Sequence, residues 1–209
     1  MTRICLDLFS GLGGFSAAFT ESDDWEVITV DLDPDDRFDP DITADVMDLR
    51  PSDLPEADVV LASPPCEEFS PANNLNGERE PDPEDVALVY HALGLIKAKR
   101  PDYWFLENPR GRLRTLIGPP TAEVTYCQYG EPHMKPTDLW GRHPPMTYRR
   151  CSYGSPCHEA NREGTNNYPD DPAEKARVPY DLSVAIREAV EDAYANPPPE
   201  QVTLPGVDP

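Results

Sequence analysis

The sequence predicts an α/β fold, with a largely parallel sheet, helices packed on it, and ligands collected at the carboxyl ends of the strands. Three observations carry this. Arg3-Ile4-Cys5-Leu6-Asp7-Leu8 is an apolar strand running straight into the turn Phe9-Ser10-Gly11-Leu12-Gly13-Gly14; strand, glycine turn and helix form the unit that lets backbone approach a nucleotide. Short apolar runs recur at residues 26–30, 59–62 and 103–106, each stopping at a polar residue. Between and after them, residues 82–100 and 181–194 repeat apolar side chains at helical spacing.

Taken in order, the first strand covers residues 3–8, and a helix begins across residues 15–19. The turn between them lacks the dinucleotide fingerprint and the P-loop lysine, so phosphate is not its favoured ligand. The second strand ends in Asp31-Leu32-Asp33. An acid at that tip can accept from both hydroxyls of a ribose, although the same loop is dense with solvated acids. A third short strand is expected at residues 42–45, bringing Asp45-Val46 to the same edge.

Val59-Val60-Leu61-Ala62 then stops at Ser63-Pro64-Pro65-Cys66. Proline has no N–H and fixes φ, and the residue before it is pushed to extended geometry. Cys66 is thereby delivered on a stiff loop at a strand end, where α/β sheets form their clefts. Taken alone, the same motif also suits a buried structural cysteine. Residues 70–81 read as a polar loop able to close over a site.

Asp82 and Pro83 start the next helix as cap and first residue, with Glu84 and Asp85 in its first turn. Val86, Val89, Tyr90, Leu93 and Ile96 mark its length, His91 is structural, and Pro101 ends it. The following strand finishes in Glu107-Asn108-Pro109, so two strands present a thiol and a carboxylate at one edge. Arg110, Arg112 and Arg114 are expected on a helix as the densest positive patch. Residues 122–140 suggest two strands joined through Tyr129-Gly130-Glu131-Pro132-His133. Residues 142–167 have little periodicity. Leu182, Ala185, Ile186, Ala189, Val190 and Ala193 mark one face of the last helix, and residues 196–209 read as a disordered tail. No internal repeat is visible.

The 209 residues fit one domain, with Lys+Arg 18 against Asp+Glu 39 and a formal net charge of -21. Lysine occurs only at Lys97, Lys99, Lys135 and Lys175. An Asp/Glu-rich, Lys-poor surface is suited to molar salt, where charge repulsion is screened within a few ångströms. Such a surface excludes a partner held by a broad basic face at ordinary salt. No apolar run spans a bilayer and the amino terminus is not signal-like, so a cytoplasmic protein with no membrane partner is expected. Five cysteines without a secretion signal argue against a disulfide scaffold. The expectation for metal is none. Cys151, Cys157 and His158, joined by Cys127, are weak zinc candidates, since Cys-x5-Cys-His is not a standard spacing and adjacent Cys and His seldom share an ion.

In order and spacing, Asp7-Leu8-Phe9-Ser10-Gly11-Leu12-Gly13-Gly14-Phe15, Pro65-Cys66-x-x-Phe69-Ser70 and Leu106-Glu107-Asn108 resemble the DNA cytosine-5 methyltransferases. The resemblance covers the first two-thirds of the chain. It implies a Rossmann-like class I S-adenosylmethionine-dependent methyltransferase fold with a very small recognition segment. The implied division is a cofactor-binding catalytic core at 1–141, a reduced target-recognition segment at 142–178, a helix packing on the core at 179–195, and the tail. Cys66 would add to carbon 6 of cytosine and Glu107 would hold ring N3 and the exocyclic amine. S-adenosylmethionine would lie over the glycine turn. Its contacts would come from Asp7, Phe9, Ser10, Gly11, Gly13, Gly14, Asp31 (ribose), Leu32, Asp45 and Val46 (adenine) and Pro65.

Ser70, Asn108, Arg112 and Lys135 would meet the substrate, a cytosine rotated out of double-stranded DNA. The donor's sulfonium, Arg112 and a neighbouring basic residue would help lower the Cys66 pKa. The chain departs from the family pattern in several places. Glu67 follows Cys66 where Gln is usual. Lys135 and Thr137 stand where the family alternates arginines, supplying one point charge and one neutral group in place of two guanidinium forks. Arg177-Val178-Pro179-Tyr180-Asp181-Leu182 stands where a Gly-Asn motif is expected, and the large recognition domain has no room. The overall size resembles the compact members carried by viruses and mobile elements. A cytosine-5 methyltransferase of RNA, or a non-catalytic DNA- or cofactor-binding relative, are the alternatives, and a partner subunit or homodimer stays open.

Overall fold

Alternation within the short apolar runs decides the layers. In Val59-Val60-Leu61-Ala62 all four side chains are buried, Val60 and Ala62 in one hydrophobic cluster and Val59 and Leu61 in another. A strand buried on both faces belongs to the interior of a parallel sheet covered on each side. The computed structural model describes residues 2–70, 80–152, 154–158 and 169–197. Its strands are β1 (Arg3–Leu8), β2 (Trp25–Asp31), β3 (Ile42–Thr43), β4 (Val59–Ala62), β5 (Tyr103–Pro109), β6 (Ala122–Thr125) and β7 (Pro136–Arg142). They form one seven-stranded sheet in the order β3-β2-β1-β4-β5-β7-β6. The pairs among β3, β2, β1, β4 and β5 are parallel, and β7 runs antiparallel to both of its neighbours.

Among the described residues the α-helices are α1 (Ala17–Thr20), α2 (Pro83–Lys99), α3 (Leu113–Ile117), α4 (Pro172–Ala176) and α5 (Tyr180–Ala195). Val89, Ala92, Leu95 and Ile96 of α2 join Leu6, Leu8, Val60 and Leu106 on one face of the sheet. Phe15, Phe19, Leu182, Ile186 and Val190 cover the other face with Cys5, Leu61 and Phe105. The expected cap holds, with Asp82 accepting from the Glu84 amide at 2.9 Å. His91 is structural, its Nε2 donating to the Leu49 carbonyl at 3.0 Å.

Several elements differ from the sequence reading. The helix expected at residues 15–19 shrinks to the single turn α1, because the Ser16 hydroxyl turns to Asp7 and caps nothing. The strand expected at residues 42–45 ends at Thr43, where Asp45 instead caps a 3-10 turn by accepting from the Met47 amide. The arginine patch is neutralised: Arg110 faces Glu123 at 3.6 Å, Arg112 faces Glu80 at 3.6 Å, and Arg114 grips buried Asp138 and Glu123. Only Arg114 of the three lies within α3. Helix α4 was not expected, although Asp171-Pro172 repeats the Asp82-Pro83 start signal and Asp171 accepts from the Ala173 amide at 2.9 Å. Most of the loop read at 70–81 and most of the tail lie outside the described residues. Among the described residues no helix is long and apolar enough to cross a membrane.

Helix α5 closes the fold onto the glycine turn. Ser183 Oγ donates to the Phe15 carbonyl at 2.7 Å and accepts from the Ala18 amide at 3.1 Å. A Cβ on Gly14 would lie 2.6 Å from the Val178 carbonyl, whereas one on Gly11 would meet nothing within 4 Å. Gly14→Ala should therefore cost about 2–3 kcal/mol in a urea titration by pushing the chain ahead of α5 off the turn. Gly11→Ala should cost only about 1–2 kcal/mol, the conformational penalty at its φ of 51°. Equal costs would contradict this docking.

Candidate active site

The strand order reverses between β1 and β4, and ligand crevices form outside such a switch point. The Phe9 to Gly14 turn leaves the end of β1, and Ser63 to Cys66 leave the end of β4. The two ends are tied by the Ser63 amide donating to the Leu8 carbonyl at 3.1 Å.

The turn is held in an uncommon conformation. Phe9, Gly11 and Gly13 have φ of 62°, 51° and 69°, and Phe9, lacking glycine's freedom, is strained there. The Gly11 amide donates to Asp31 Oδ2 at 2.8 Å and the Asp33 amide to Oδ1 at 3.1 Å. Asp31 thus holds the turn from the tip of β2 and keeps a lone pair on each oxygen for a ligand. Leu32 beside it is 61% exposed and Met47 43%, while Val46 is buried. Asp7 lies fully buried, accepting from Ser16 Oγ at 2.6 Å. Among the described residues, Asp7 Oδ1 and Ser10 Oγ are buried without a partner. Open space over Gly11, a carboxylate at the strand tip, exposed apolar side chains and orphaned acceptors together fit a nucleoside carrying an amino group.

The second half of the site is built on β4 and β5. Ala62 pairs with Leu106, which puts Ser63 level with Glu107. Glu107 is 2% exposed, and its two oxygens accept from Ser63 Oγ at 2.6 Å and from the buried Tyr126 hydroxyl at 2.7 Å. Burial and the Glu107 charge keep the Tyr126 hydroxyl protonated, well above the usual phenol range. Two neutral donors thus fix the carboxylate plane, and one lone pair per oxygen remains for a base edge. Sequence reasoning missed both: Tyr126 carries no signal of its own, and Ser63 was read only as part of the strand stop.

Cys66 is half-buried. Its carbonyl accepts from the amides of Phe69 and Ser70 at 3.1 and 2.9 Å, so the thiol begins a tight turn, with Pro65 exposed at its rim. Burial pushes the thiol pKa up; Glu107 pushes the same way, Lys135 opposes, and Glu67 adds a further rise. The sequence reading expected a lowered pKa. In the free protein it is raised because burial, the largest cause, together with the charges of Glu107 and Glu67 outweighs the opposing Lys135 ammonium.

Three residues expected to meet the substrate also make contacts within the fold. Asn108 is fully buried and donates from Nδ2 to the Pro64 carbonyl at 3.0 Å, bracing the Cys66 loop. Lys135 is buried, donating from Nζ to the Lys175 carbonyl at 3.0 Å, with Nζ 4.5 Å from the Tyr126 ring centroid. The Arg112 amide donates to the Phe69 carbonyl at 2.9 Å, tying α3 to the same loop. Ser70 stays at the Cys66 turn. Elsewhere, Cys127, Cys151, Cys157 and His158 bring their ligand atoms within 4.8 Å of one another. All five cysteines are free.

Two pH dependences follow. Alkylation of Cys66 by iodoacetamide in the free protein should titrate above the usual thiol value of about 8.5. Glu67→Gln should lower that midpoint and Lys135→Met should raise it; a wild-type midpoint at or below the ordinary value would contradict the arrangement. Burial raises the Asp7 carboxyl to about 7. A raised acid binds its proton more tightly when folded, so its contribution to stability is full below about pH 4 and is lost as pH rises through 7. Urea midpoints of wild type and Asp7→Asn at several pH values should show the decline in wild type alone.

Known proteins share much of this sequence and fold. The family model described as C-5 cytosine-specific DNA methylase matches residues 4–116. The "Probable DNA (cytosine-5)-methyltransferase" of Frog virus 3 (isolate Goorha) is 31% identical over 176 residues, 75% of this chain and 78% of that protein. Type II methyltransferase M.HaeII of Haemophilus aegyptius is 31% identical over 117 residues, 53% of this chain. The chain spans only 35% of that enzyme's length. The solved Entamoeba histolytica methyltransferase EhMeth shares the fold at a TM-score of 0.51 and 12% identity, over 73% of this chain and 57% of that one. The matched residues include the glycine turn, Cys66 and Glu107, and the chain belongs to the C-5 cytosine-specific DNA methylase family.

Proposed function

We propose that the chain methylates carbon 5 of cytosine in DNA through a covalent adduct on Cys66, with S-adenosylmethionine as donor. The observation that supports this most is the Cys66 loop and the doubly hydrogen-bonded Glu107 at the ends of adjacent strands β4 and β5. Phe9, Gly11, Asp31, Leu32 and Asp45 would hold the donor. When bound, it supplies an electrophilic methyl on a positive sulfur, a charge that also favours a nearby thiolate.

The Cys66 sulfur would form a bond to carbon 6 of a cytosine rotated out of the duplex, moving the ring's 5,6 electron pair to carbon 5. Glu107, taking up a proton from solvent as the base enters, would donate from that carboxyl to N3, accept from the exocyclic amine, and pass the proton to N3 as charge builds there. Ser63 and Tyr126 would keep that carboxylate aimed while the proton moves. Once carbon 5 has taken the methyl, the donor being left as a neutral thioether, and has given its proton to a base, the Cys66 sulfur leaves and the ring double bond reforms. Asn108 and Arg112 act by holding the Cys66 loop.

Residues 142–178 would take the part of the recognition domain, as in a compact enzyme of viral or restriction-modification type working in the cytoplasm. A second copy or a partner subunit would extend the contact with DNA. The net charge of -21 points to a halophilic source, where molar salt screens the repulsion between this chain and DNA.

Labelled methyl from S-adenosylmethionine should enter duplex DNA in about 2 M KCl, where the Debye length falls below roughly 3 Å. Cys66→Ser should abolish incorporation, and Glu107→Gln should reduce it by about 10²–10⁴-fold. Label entering RNA in preference to DNA, or incorporation surviving in Cys66→Ser, would contradict the proposal.

A further inference from the structure

A second chemical cluster lies outside the cleft, and the methyl-transfer reading makes no use of it. The 3-10 turn Tyr126–Tyr129 after β6 carries Cys127. Residues 149–151 run beside the end of β6: the Thr125 amide donates to the Arg149 carbonyl at 3.1 Å, and the Cys151 amide to Thr125 Oγ1 at 3.1 Å. The Arg149 amide donates to the Tyr129 hydroxyl at 3.0 Å, and its guanidinium lies 4.1 Å from the Tyr129 ring centroid. This lacing sets the Cys151 sulfur over that of Cys127. A turn closed by the Ser155 amide on the Ser152 carbonyl, at 3.1 Å, then brings Cys157 and His158 back to the same point.

All six separations among the four ligand atoms are within 4.8 Å, and four of them are Cys127–Cys157 3.8 Å, Cys151–His158 Nδ1 3.8 Å, Cys157–His158 Nδ1 3.6 Å and Cys127–Cys151 3.1 Å. A tetrahedral zinc with Zn–S near 2.3 Å and Zn–N near 2.0 Å has edges of about 3.8 Å between sulfurs and about 3.5 Å from sulfur to nitrogen. Three of the four separations match those edges closely, and the shortest one needs to open by less than an ångström. Among the described residues no other group of three or more His, Cys, Asp or Glu side chains is arranged to hold a metal ion. Three soft sulfurs and one imidazole, with no carboxylate, select zinc over calcium or magnesium.

We propose that Cys127, Cys151, Cys157 and His158 form a closed structural zinc site that fastens residues 149–158 to the end of β6. Four protein ligands leave no open position, so the ion braces and does not catalyse. The spacing stays non-standard and Cys157 and His158 stay adjacent, but the fold brings both to one point with Cys151 and with Cys127 from a distant turn. Cys127 directly follows Tyr126, whose hydroxyl donates to Glu107. Resting on the methyl-transfer reading, the ion would therefore also steady the carboxylate from behind.

The test begins with the full chain purified without chelator, with zinc measured by mass spectrometry. About one equivalent per chain is expected, falling below about a tenth in the Cys151→Ser/Cys157→Ser double variant. Cobalt substituted for zinc should give the absorption of a tetrahedral thiolate site, weakened in the single variant Cys157→Ser, whose side chain is exposed and whose folding is checked by circular dichroism. Wild-type protein with less than about a tenth of an equivalent of zinc, failing to take up added zinc or cobalt, would overturn the proposal. So would a native Cys127–Cys151 disulfide in metal-free protein. Metal content is read without any methyl transfer, so this inference and the proposed function can fail independently.

Discussion

The parallel pairing of β4 with β5 is the constraint on which the site depends. Its register places Ser63 level with Glu107, and from that one alignment follow the hydroxyl that holds the carboxylate and the direction in which the Cys66 loop leaves the sheet. Pairing in a buried strand is set by side chains on both faces, and a slip of one residue would carry Val60 and Ala62 from the α2 side to the α5 side. The chemistry at the edge is therefore fixed by the core beneath it. Asn108 extends this control by one further residue: it lies within β5 yet holds the Pro64 carbonyl, so the loop bearing the thiol is pinned to the strand bearing the acid.

The glycine turn is governed from elsewhere. Asp31 at the end of β2 takes the Gly11 amide, buried Asp7 takes Ser16, and Ser183 of α5 ties Phe15 and Ala18 from the far end of the chain. Gly14 admits the backbone around Val178 because it has no Cβ. The turn is thus closed by residues distant in sequence, and the strain at Phe9 persists because these contacts over-determine it. In a chain with so few cations, arginines spent internally are a notable use of them. The Arg114 bond to Asp138 ties α3 to β7, and its fork is suited to that carboxylate in a way a lysine would not be.

Much of this was legible in the sequence because strand ends are punctuated. Ser63-Pro64-Pro65, Glu107-Asn108-Pro109 and Asp82-Pro83 each stop or start an element through proline's fixed φ, and each boundary falls within a few residues of expectation. What failed to show depends on contacts between distant residues. Lys135 and Asn108 read as substrate groups from the family motif around them, and only the fold shows that they also hold the Lys175 and Pro64 carbonyls. Tyr126 becomes the partner of Glu107 only when β7 slots between β5 and β6. The direction of the Cys66 shift could not be read from spacing, since it depends on the balance of Glu107, Glu67 and Lys135 around a buried thiol. The four metal-ligand candidates are likewise united by the Thr125 contacts and not by any local pattern.

The central claim, that sulfur and acid act together on one pyrimidine ring, is tested most directly by trapping. Duplex DNA with 5-fluorocytosine at its cytosines cannot lose the carbon-5 substituent as a proton, so the adduct should persist in the presence of S-adenosylmethionine. Peptide mapping should then find the modified base on Cys66, formed about 10²-fold or more slowly in Glu107→Gln. An adduct on any other residue, or none from protein that binds both DNA and donor, would contradict the account.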